Sequence, residues 1–473
     1  MRIASLGRNW FGIPAGLLLA ASLPTLAASP NYKDVCASGC TYSSVQAAID
    51  SITGSSATNV YTVFVDSGVL PTDTSITTSG KSYIDFVGRG IGVSIVRASA
   101  TWFNNVHLGL TSPDFFNMSG STNITISGLT IDALTNDQLL GPDGYNGVRL
   151  DNTDRVLVQT SEILGVQYAI WENANTSTNL IQIMSSKVRG VSYGVVVRHA
   201  TWHIFSSDIR AVNDGRASGF NAAIGLAAGQ GGAGGSNAAN IAVWGCHIHG
   251  ENVSPAQTST VFSVRQELVP GSTLSIVGST LHAKINSDYN VTEASHMVVG
   301  TIQGANKEVD VTGSEYRYET PTGMTQGKIG GLMYFDSKNV TVNLAGENFV
   351  SIGSGGSARA DVVQSVVIST NMPTITTAGS RIASAVTTGS VALLSGLASQ
   401  FNTLNFQKGV AVFPSSNTVT VTLPSAMPDT TYAVGLSANA NETVYVSTKT
   451  TTSFTLKSSN ASSTASVDWT VSR

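Results

Sequence analysis

The chain has 473 residues, of which 42% are hydrophobic and only 11% charged, with 25 Lys and Arg against 29 Asp and Glu. A disordered chain needs a higher net charge and fewer apolar residues, and a nucleic-acid-binding protein needs an excess of basic residues. The composition excludes both classes and favours a β-rich, extracellular protein whose surface is polar but largely uncharged.

The N-terminus has the pattern of a secretory signal peptide over residues 1–28. Arg2 and Arg8 supply positive charge, an apolar run extends from Phe11 to Leu23, and small residues end the segment. The alternative is a membrane anchor, but a run of about 13 residues is shorter than the roughly 20 that span a bilayer. We therefore expect a secreted protein, with the periplasm or a virion as alternative destinations.

The chain contains three cysteines. Cys36 and Cys40 lie near the start of the predicted mature chain, and we expect them to form a disulfide in an oxidising compartment. Cys246 lies in an apolar stretch, which favours a buried free thiol. His247 and His249 follow it, but alternation along a strand puts them on the face opposite Cys246, so no zinc site with this cysteine is predicted.

The first predicted element is a helix within residues 43–52, where apolar residues recur at helical spacing and Ser43 or Ser44 can cap the helix. A strand follows at residues 60–65. From there to about residue 352, short β-branched segments recur every 20–30 residues or so, each pair followed by a Ser-rich segment. The clearest series begins at residues 147–152, 169–173 and 194–199.

Strand-based repeats of this length indicate a β-helix, in which stacked coils bury one face of every strand. The alternative is an array of β-sandwiches, but the Asn-Gly and Asp-Gly signals of their hairpins are rare here. The cysteine loop, the segment Gln46–Asp50 and the strand after it resemble the N-terminal cap of the pectate-lyase-like superfamily of right-handed parallel β-helix proteins. The resemblance covers roughly residues 34–355.

The resemblance implies an all-β fold, with a right-handed parallel β-helix over residues 29–360 and a capping helix at its N-terminus. It does not imply one activity, because the superfamily includes lyases, glycoside hydrolases, esterases, adhesins and phage tailspikes.

The rest of the chain differs from the repeats. Residues 361–405 are predicted to be a linker, with a short helix where apolar residues recur at helical spacing over residues 391–404. Residues 406–473 predict a small antiparallel β-sandwich of five alternating strands: 418–423, 432–436, 443–446, 453–456 and 466–471. The stretch Val419–Val471 resembles C-terminal modules of phage tail-fibre and tailspike proteins, which implies a homotrimer or glycan binding.

The predicted functional site lies on the outer face of three successive coils, where stacked residues are about 4.8 Å apart. The cluster comprises Arg149, Asp151, Trp171, Asn173 and Arg198, with Glu172 and His199 at its edge. Arg265 and Glu267 lie at a comparable edge farther along. An aromatic face with flanking polar groups suits a sugar ring, so Arg149, Trp171, Asn173, Arg265 and Glu267 are predicted to bind a polysaccharide.

Two mechanisms are open for the predicted catalytic residues Asp151, Glu172, Arg198 and His199. A glycoside hydrolase needs two carboxyl groups, which Asp151 and Glu172 on adjacent coils would supply. A lyase needs a cation for the uronate carboxylate and a base for the ring proton, for which Arg149, Arg198 and His199 are candidates. The non-enzymatic alternative is an adhesin or a trimeric phage tailspike that binds a cell-surface glycan.

No cofactor or metal is predicted. Calcium binding is kept as an alternative, although the sequence carries no motif for it. His247 and His249 lie on one strand face, which is compatible with a metal site but more typical of a surface polar pair. Residues 315–319 alternate acidic, aromatic and basic side chains, as in a glycan groove or in an exposed strand edge.

Overall fold

The computed structural model describes most of the chain between residues 31 and 472. The described residues are 31–136, 146–172, 180–215, 222–228, 238–253, 260–266, 272–285, 296–301, 305–319, 330–335, 338–345, 348–352, 360–361, 364–365, 374–378, 381–384, 407–423, 427 and 429–472. The predicted signal peptide, the predicted helix at 391–404, Asn173 and Glu267 lie outside these residues. No helix among the described residues is long and apolar enough to cross a membrane.

Three parallel sheets form the body of the protein. Sheet 1 contains Tyr32–Val35, Tyr61–Val65, Ile84–Gly88, Thr122–Ser127, Asp154–Gln159, Leu180–Met184, Thr201–Phe205, Asn240–Trp244, Thr273–Val277, Ala305–Thr312, Lys338–Ala345 and Thr374–Ala378. Sheet 2 contains Gly68–Thr72, Ser94–Ala98, Thr130–Ala133, Glu162–Gly165, Lys187–Gly190, Asp208–Asn213, His247–Asn252, Thr280–Ile285, Glu315–Glu319, Asn348–Ile352 and Arg381–Ser384. Sheet 3 contains Ile76–Thr77, Asp114–Asn117, Asn146–Leu150, Tyr168–Glu172, Tyr193–Val197, Ala222–Ala228, Thr260–Gln266, His296–Thr301, Gly330–Phe335, Ala360–Asp361 and Gln364–Ser365.

The chain passes from sheet 1 to sheet 2 to sheet 3 and back again, and each strand pairs with its counterpart one coil away. The predicted parallel β-helix is therefore confirmed. Its predicted right-handed course is the hand that nearly all parallel crossover connections adopt. The ladders run past residue 360, the predicted end of the β-helix, because Thr374–Ala378 and Arg381–Ser384 pair with the preceding coil. These strands lie in the segment predicted to be a linker.

The N-terminal end of the β-helix has the predicted disulfide and helix. Cys36 and Cys40 are bonded. The helix spans Val45–Asp50, and the side chain of Ser44 caps it by accepting a hydrogen bond from the Ala47 N–H at 3.1 Å. A second helix, Ala100–His107, was not predicted; it begins after the cap Ser99 and buries its aromatic residues in the core.

Alternation along each strand divides the residues between the core and the outer face. Val148, Ile170 and Val195 are paired in register and fully buried, as predicted. The inward side chains form one continuous apolar column through the coils. Burial of apolar area of this kind is the main stabilising contribution to such a solenoid.

Sheets 1 and 2 meet at a tight corner of two residues in every described coil except the second, where residues 89–93 form the connection. From Gly128 to Gly313 the first of the two residues adopts the left-handed conformation, as in Thr160, Ser185 and Ser206. The second residue is buried, and its backbone N–H donates to the side chain of the next coil. The donors include Ser161, Ser186, Ser207, Cys246 and Ser279, and Ser314 Oγ accepts the last of these bonds.

Cys246 thus occupies one position of a buried serine ladder. Its Sγ accepts from the Ser207 N–H at 3.5 Å, and its own N–H donates to Ser279 Oγ at 3.1 Å. Burial raises the pKa of its thiol. The predicted buried free thiol is therefore confirmed.

We expect Cys246→Ser to change the free energy of unfolding by less than about 1 kcal/mol, because serine makes these contacts in the neighbouring coils. Cys246→Val is the matched control: it leaves the Ser207 N–H without its acceptor and should cost about 1–3 kcal/mol. Urea unfolding monitored by tryptophan fluorescence distinguishes the two. Equal losses for both variants would show that the ladder bond contributes nothing.

The C-terminal module is a small antiparallel sandwich, as predicted, with six strands instead of five. One sheet contains Gln407–Val412, Ser466–Ser472 and Ala433–Ala438, and the other contains Thr418–Thr422, Ser453–Ser458 and Val444–Lys449. Phe454 and Trp469 pack edge to face at 5.3 Å and join the two sheets in one apolar core. The additional strand is Gln407–Val412, which exposes the side chains of Val410 and Val412.

Candidate functional site

The outer face of sheet 3 carries several of the predicted site residues. Arg149 pairs in register with Trp171, and Trp171 with Val196, so the predicted outward column is confirmed. Asp151 follows the first of these strands and Arg198 follows the third. Four of the predicted site residues, Arg149, Asp151, Trp171 and Arg198, therefore lie around one patch, which we call the Trp171 patch.

The Arg149 side chain is held in place by two carboxylates. Its Nη1 lies 2.8 Å from Asp114 Oδ2, which is fully buried, and its Nη2 lies 3.2 Å from Asp151 Oδ2. Burial of the guanidinium opposes its charge, but the bonds to Asp114 and Asp151 raise the pKa of Arg149 overall. Asp114 was not predicted, because it precedes the repeat series from which the site was derived.

Trp171 lies beneath two guanidinium groups. The Cζ atoms of Arg149 and Arg198 are 5.0 and 5.8 Å from its ring centroid. Tyr168 stacks on the same indole at 5.4 Å and contacts Tyr193 at 4.9 Å. Cation–π contacts of this length stabilise the two guanidinium groups next to the indole ring.

The Trp171 patch contains buried N–H donors that have no acceptor among the described residues. They are Trp171 Nε1, Arg149 Nε and Arg198 Nε. Buried donors are almost always hydrogen-bonded in folded proteins, to protein, water or ligand. A molecule rich in acceptor oxygens could satisfy these three donors around one indole.

Glu172 was predicted to act with Asp151 as a catalytic carboxyl pair, but the structure does not bring its carboxylate to the outer face beside Asp151. The Glu172 side chain points inward because it follows the outward Trp171, and it is 2% exposed. Its Oε2 accepts from the N–H groups of Arg198 at 2.7 Å and His199 at 3.1 Å and from Trp202 Nε1 at 3.1 Å. Burial raises the pKa of Glu172, although these donors lower it in part.

The role of Glu172 is therefore to hold the turn at residues 198–200, one coil away. Its Oε1 also accepts from the Ala200 N–H at 3.3 Å. His199 is buried in the same turn, 2% exposed, which contradicts its predicted role as a base on the outer surface. Glu172 thereby positions Arg198 over Trp171 from the interior.

The predicted binding residue Arg265 lies apart from the patch. It occupies the same outward column as Trp171 but three coils farther along, which is about 14 Å at the spacing of parallel strands. Its guanidinium lies 5.9 Å from the ring of Phe262. Arg265 and the Trp171 patch are joined by an apolar strip that is separate from the core: Tyr168, Tyr193, Val196, Ala222, Ile224, Ala227 and Phe262.

Sheet 3 is the face bordered by the longest connections. Several of the connections that flank its strands have seven or more residues, among them 134–145, 173–179, 214–221 and 229–239. Others are short, such as 166–167, 191–192 and 198–200, and the corner between sheets 1 and 2 usually has two residues. Long connections on a rigid scaffold are where binding residues concentrate. The position of the Trp171 patch is therefore typical of a functional site.

Sheet 2 carries a second group of polar residues, which the sequence did not assign. His247, His249 and His282 lie on two adjacent strands, and His249 pairs in register with His282. Burial, together with the neighbouring His249 and Arg317 side chains, lowers the pKa of His282 to about 3. We call these residues the histidine triad.

A cleft of about 690 Å³ adjoins the histidine triad. It is lined by charged side chains of four coils, among them Glu162, Lys187, Arg189, Asp208, Arg210 and Glu251. Burial opposes the charge of Asp208, but bonds from His247 and Arg210 lower its pKa to about 2. The sequence signal for this face is a polar residue directly after each residue of the buried serine ladder, as in Glu162, Lys187 and Asp208, and it becomes visible only once the coil register is known.

The comparisons with known proteins give only distant structural likenesses. No family model and no curated protein sequence matches this chain. Similar solved structures include the tailspike protein gp49 from Pseudomonas phage LKA1 (13% identity, TM-score 0.33, covering 90% of this chain and 91% of that one). Others are PfbA, a surface adhesin of Streptococcus pneumoniae (11%, 0.42, 69% and 84%), and a pectin methylesterase from carrot (13%, 0.33, 76% and 89%). These likenesses are too distant to assign an activity to this chain.

Proposed function

We propose that the protein is secreted and binds an acidic extracellular polysaccharide at the Trp171 patch. The observation that carries this proposal is the set of three buried N–H donors without an acceptor, on Trp171, Arg149 and Arg198. Two of the three belong to guanidinium groups, which prefer carboxylate or sulfate oxygens as planar, two-point acceptors. A uronate or sulfated sugar supplies such oxygens beside a ring that packs on aromatic side chains.

The parallel β-helix suits a polymeric ligand. Equivalent outward residues repeat about every 4.8 Å along the stack, so a chain of sugars has a regular surface to follow. The apolar strip from Tyr168 to Phe262 leads from the Trp171 patch towards Arg265. A second cation at that end suits an acidic chain of several residues better than a single sugar.

Cleavage by β-elimination is the second candidate, and Asp151 favours it over hydrolysis. Its carboxylate is 21% exposed and lies 3.2 Å from Arg149 Nη2. In the elimination, a cation neutralises the uronate and an adjacent carboxylate takes the ring proton. The ring carbon–carbon double bond then forms as the glycosidic C–O bond breaks, and the leaving oxygen takes a proton from the carboxyl group or from water. The hydrolytic pair of Asp151 and Glu172 is not available, because Glu172 is buried and bonded to the turn at 198–200.

A panel of polysaccharides tests both candidates. The mature protein is incubated with polygalacturonate, alginate, hyaluronan, chondroitin sulfate and neutral dextran, and binding is followed by isothermal titration calorimetry. We expect binding to one or more acidic polymers and none to dextran. Binding to dextran alone, or to no member of the panel, contradicts the proposal.

The same incubations separate an enzyme from an adhesin or spike. Elimination produces unsaturated ends that absorb in the ultraviolet, and hydrolysis produces reducing ends without that absorbance. We expect unsaturated ends if Asp151 acts as the base, and their loss in Asp151→Asn with binding retained. Binding without either product favours the non-enzymatic adhesin or trimeric spike and excludes the elimination step.

A further inference from the structure

The histidine triad brings three imidazole rings together on the outer face of sheet 2. One ring nitrogen from each of His247, His249 and His282 lies within 4.8 Å of the others. The rings of His249 and His282 contact each other edge to face at 4.5 Å, and those of His247 and His249 stack at 5.6 Å. This convergence follows from the register, because the strands His247–Asn252 and Thr280–Ile285 are neighbours.

Each ring of the triad also contacts a carboxylate. His247 Nδ1 lies 3.0 Å from Asp208 Oδ1, and His249 Nε2 lies 3.0 Å from Glu251 Oε2. His282 Nε2 lies 3.2 Å from Glu319 Oε2, but the pair does not have hydrogen-bond geometry, so this nitrogen is buried without a hydrogen-bond partner among the described residues. A carboxylate on one nitrogen fixes the ring and makes the other nitrogen a better metal ligand, which is the usual outer shell of histidine metal sites.

The Nδ1 atom of His249 gives an independent indication of a ligand. The His249 side chain is 7% exposed, and its Nδ1 has no hydrogen-bond partner among the described residues, whereas its Nε2 is occupied by Glu251. An unpartnered nitrogen this deeply buried is uncommon in folded proteins. A metal ion bound by the triad would supply the missing partner.

We propose that His247, His249 and His282 bind one divalent transition-metal ion of the zinc class. Imidazole nitrogens suit zinc, copper or nickel, whereas calcium and magnesium take oxygen ligands. A tetrahedral ion with Zn–N bonds of about 2.0–2.1 Å needs nitrogens about 3.3 Å apart, so the rings move by about 1.5 Å at most. Three protein ligands leave a fourth position, beside the charged cleft, for water or an anionic ligand.

This site is independent of the proposed polysaccharide site, because it lies on a different sheet. Arg210 and Lys284 contact Asp208 and Glu251 at 2.8 and 3.2 Å. These ion pairs occupy the carboxylates and keep them as orienting groups beside the rings. The three imidazoles are therefore the metal ligands in this proposal.

Zinc titration of the untagged, chelator-treated full chain tests the proposal. We expect calorimetry to show one Zn²⁺ ion per chain. We expect His247→Ala and His282→Ala to weaken binding at least about 100-fold and Glu251→Gln about 10- to 100-fold. His203→Ala is the matched control, since its histidine lies on sheet 1, outside the triad, and it should bind like the wild type. Far-UV circular dichroism verifies that each variant is folded.

A second measurement needs only the wild-type chain. Co²⁺ bound by the triad should give the strong visible absorption of a four-coordinate nitrogen site, and Zn²⁺ should abolish it while Ca²⁺ should not. The proposal is overturned if no stoichiometric Zn²⁺ binding occurs, or if Ca²⁺ displaces Co²⁺. Unchanged affinity in both folded histidine variants overturns it as well.

Discussion

Replacement of Glu172 by alanine should destabilise the β-helix by at least about 3 kcal/mol, because the change removes the acceptor of several buried donors at once. The carboxylate accepts three backbone N–H groups of the turn at residues 198–200 and the indole N–H of the fully buried Trp202. These donors would remain in the interior without partners, and the truncated side chain would leave a cavity. The measurement is the free energy of unfolding from urea titration, followed by tryptophan fluorescence.

Two other variants make this prediction specific. Glu172→Gln keeps an oxygen that accepts from some of the donors, so it should lower the free energy of unfolding by less than Glu172→Ala does. Glu162→Ala is the matched control on sheet 2. The Glu162 side chain is partly exposed, and its one described hydrogen bond is accepted from Thr130 Oγ1 at 3.3 Å. Its effect should stay within about 0.5 kcal/mol. Equal stability of Glu172→Ala and Glu162→Ala would contradict the structural role of Glu172.

Replacement of Arg198 by alanine should weaken binding of the acidic polysaccharide about 10- to 100-fold, the usual value of a charge-assisted hydrogen bond in a partly buried site. Arg198 contributes one of the orphan donors and one of the two guanidinium groups over Trp171. Arg198→Lys keeps the charge but loses the planar guanidinium group, so its affinity for the polysaccharide should lie between those of the wild type and Arg198→Ala. The measurement is the Kd by calorimetry with the polymer that binds best.

Arg155→Ala is the control for Arg198→Ala. The Arg155 side chain is 64% exposed on sheet 1, where its Nε lies 3.7 Å from Asp154. This variant removes the same charge from the chain without touching the Trp171 patch, so its Kd should equal that of the wild type. A loss of affinity as large as that of Arg198→Ala would mean that net charge, and not the patch, binds the polymer.

The fold could be predicted from the sequence because the coil repeats. The spacing of Val148, Ile170 and Val195 defined the register that the structure confirms. The end of the β-helix could not be located, because the strands after residue 360 are short and have no strong apolar pattern. In the sequence the corner serines appear only as Ser-rich segments, because the ladder that joins them depends on contacts between coils.

The site was predicted in part. Alternation placed Arg149 and Trp171 on the outer face, but the same alternation puts Glu172 inside, and its partners lie 26–30 residues farther along the chain. Such contacts cannot be derived from one coil. His282 was missed for the same reason, since it joins His247 and His249 only when two coils are stacked in register.

In the proposed function, the Trp171 patch recognises the negative charge of a polysaccharide. The most direct test uses the uronic acid polymer that binds best, compared with the same polymer after methyl esterification of its carboxylates. The two differ in charge and share the sugar backbone. We predict that calorimetry of the wild-type chain will show at least about 10-fold tighter binding of the free acid. Equal affinity for the acid and its methyl ester would contradict the account.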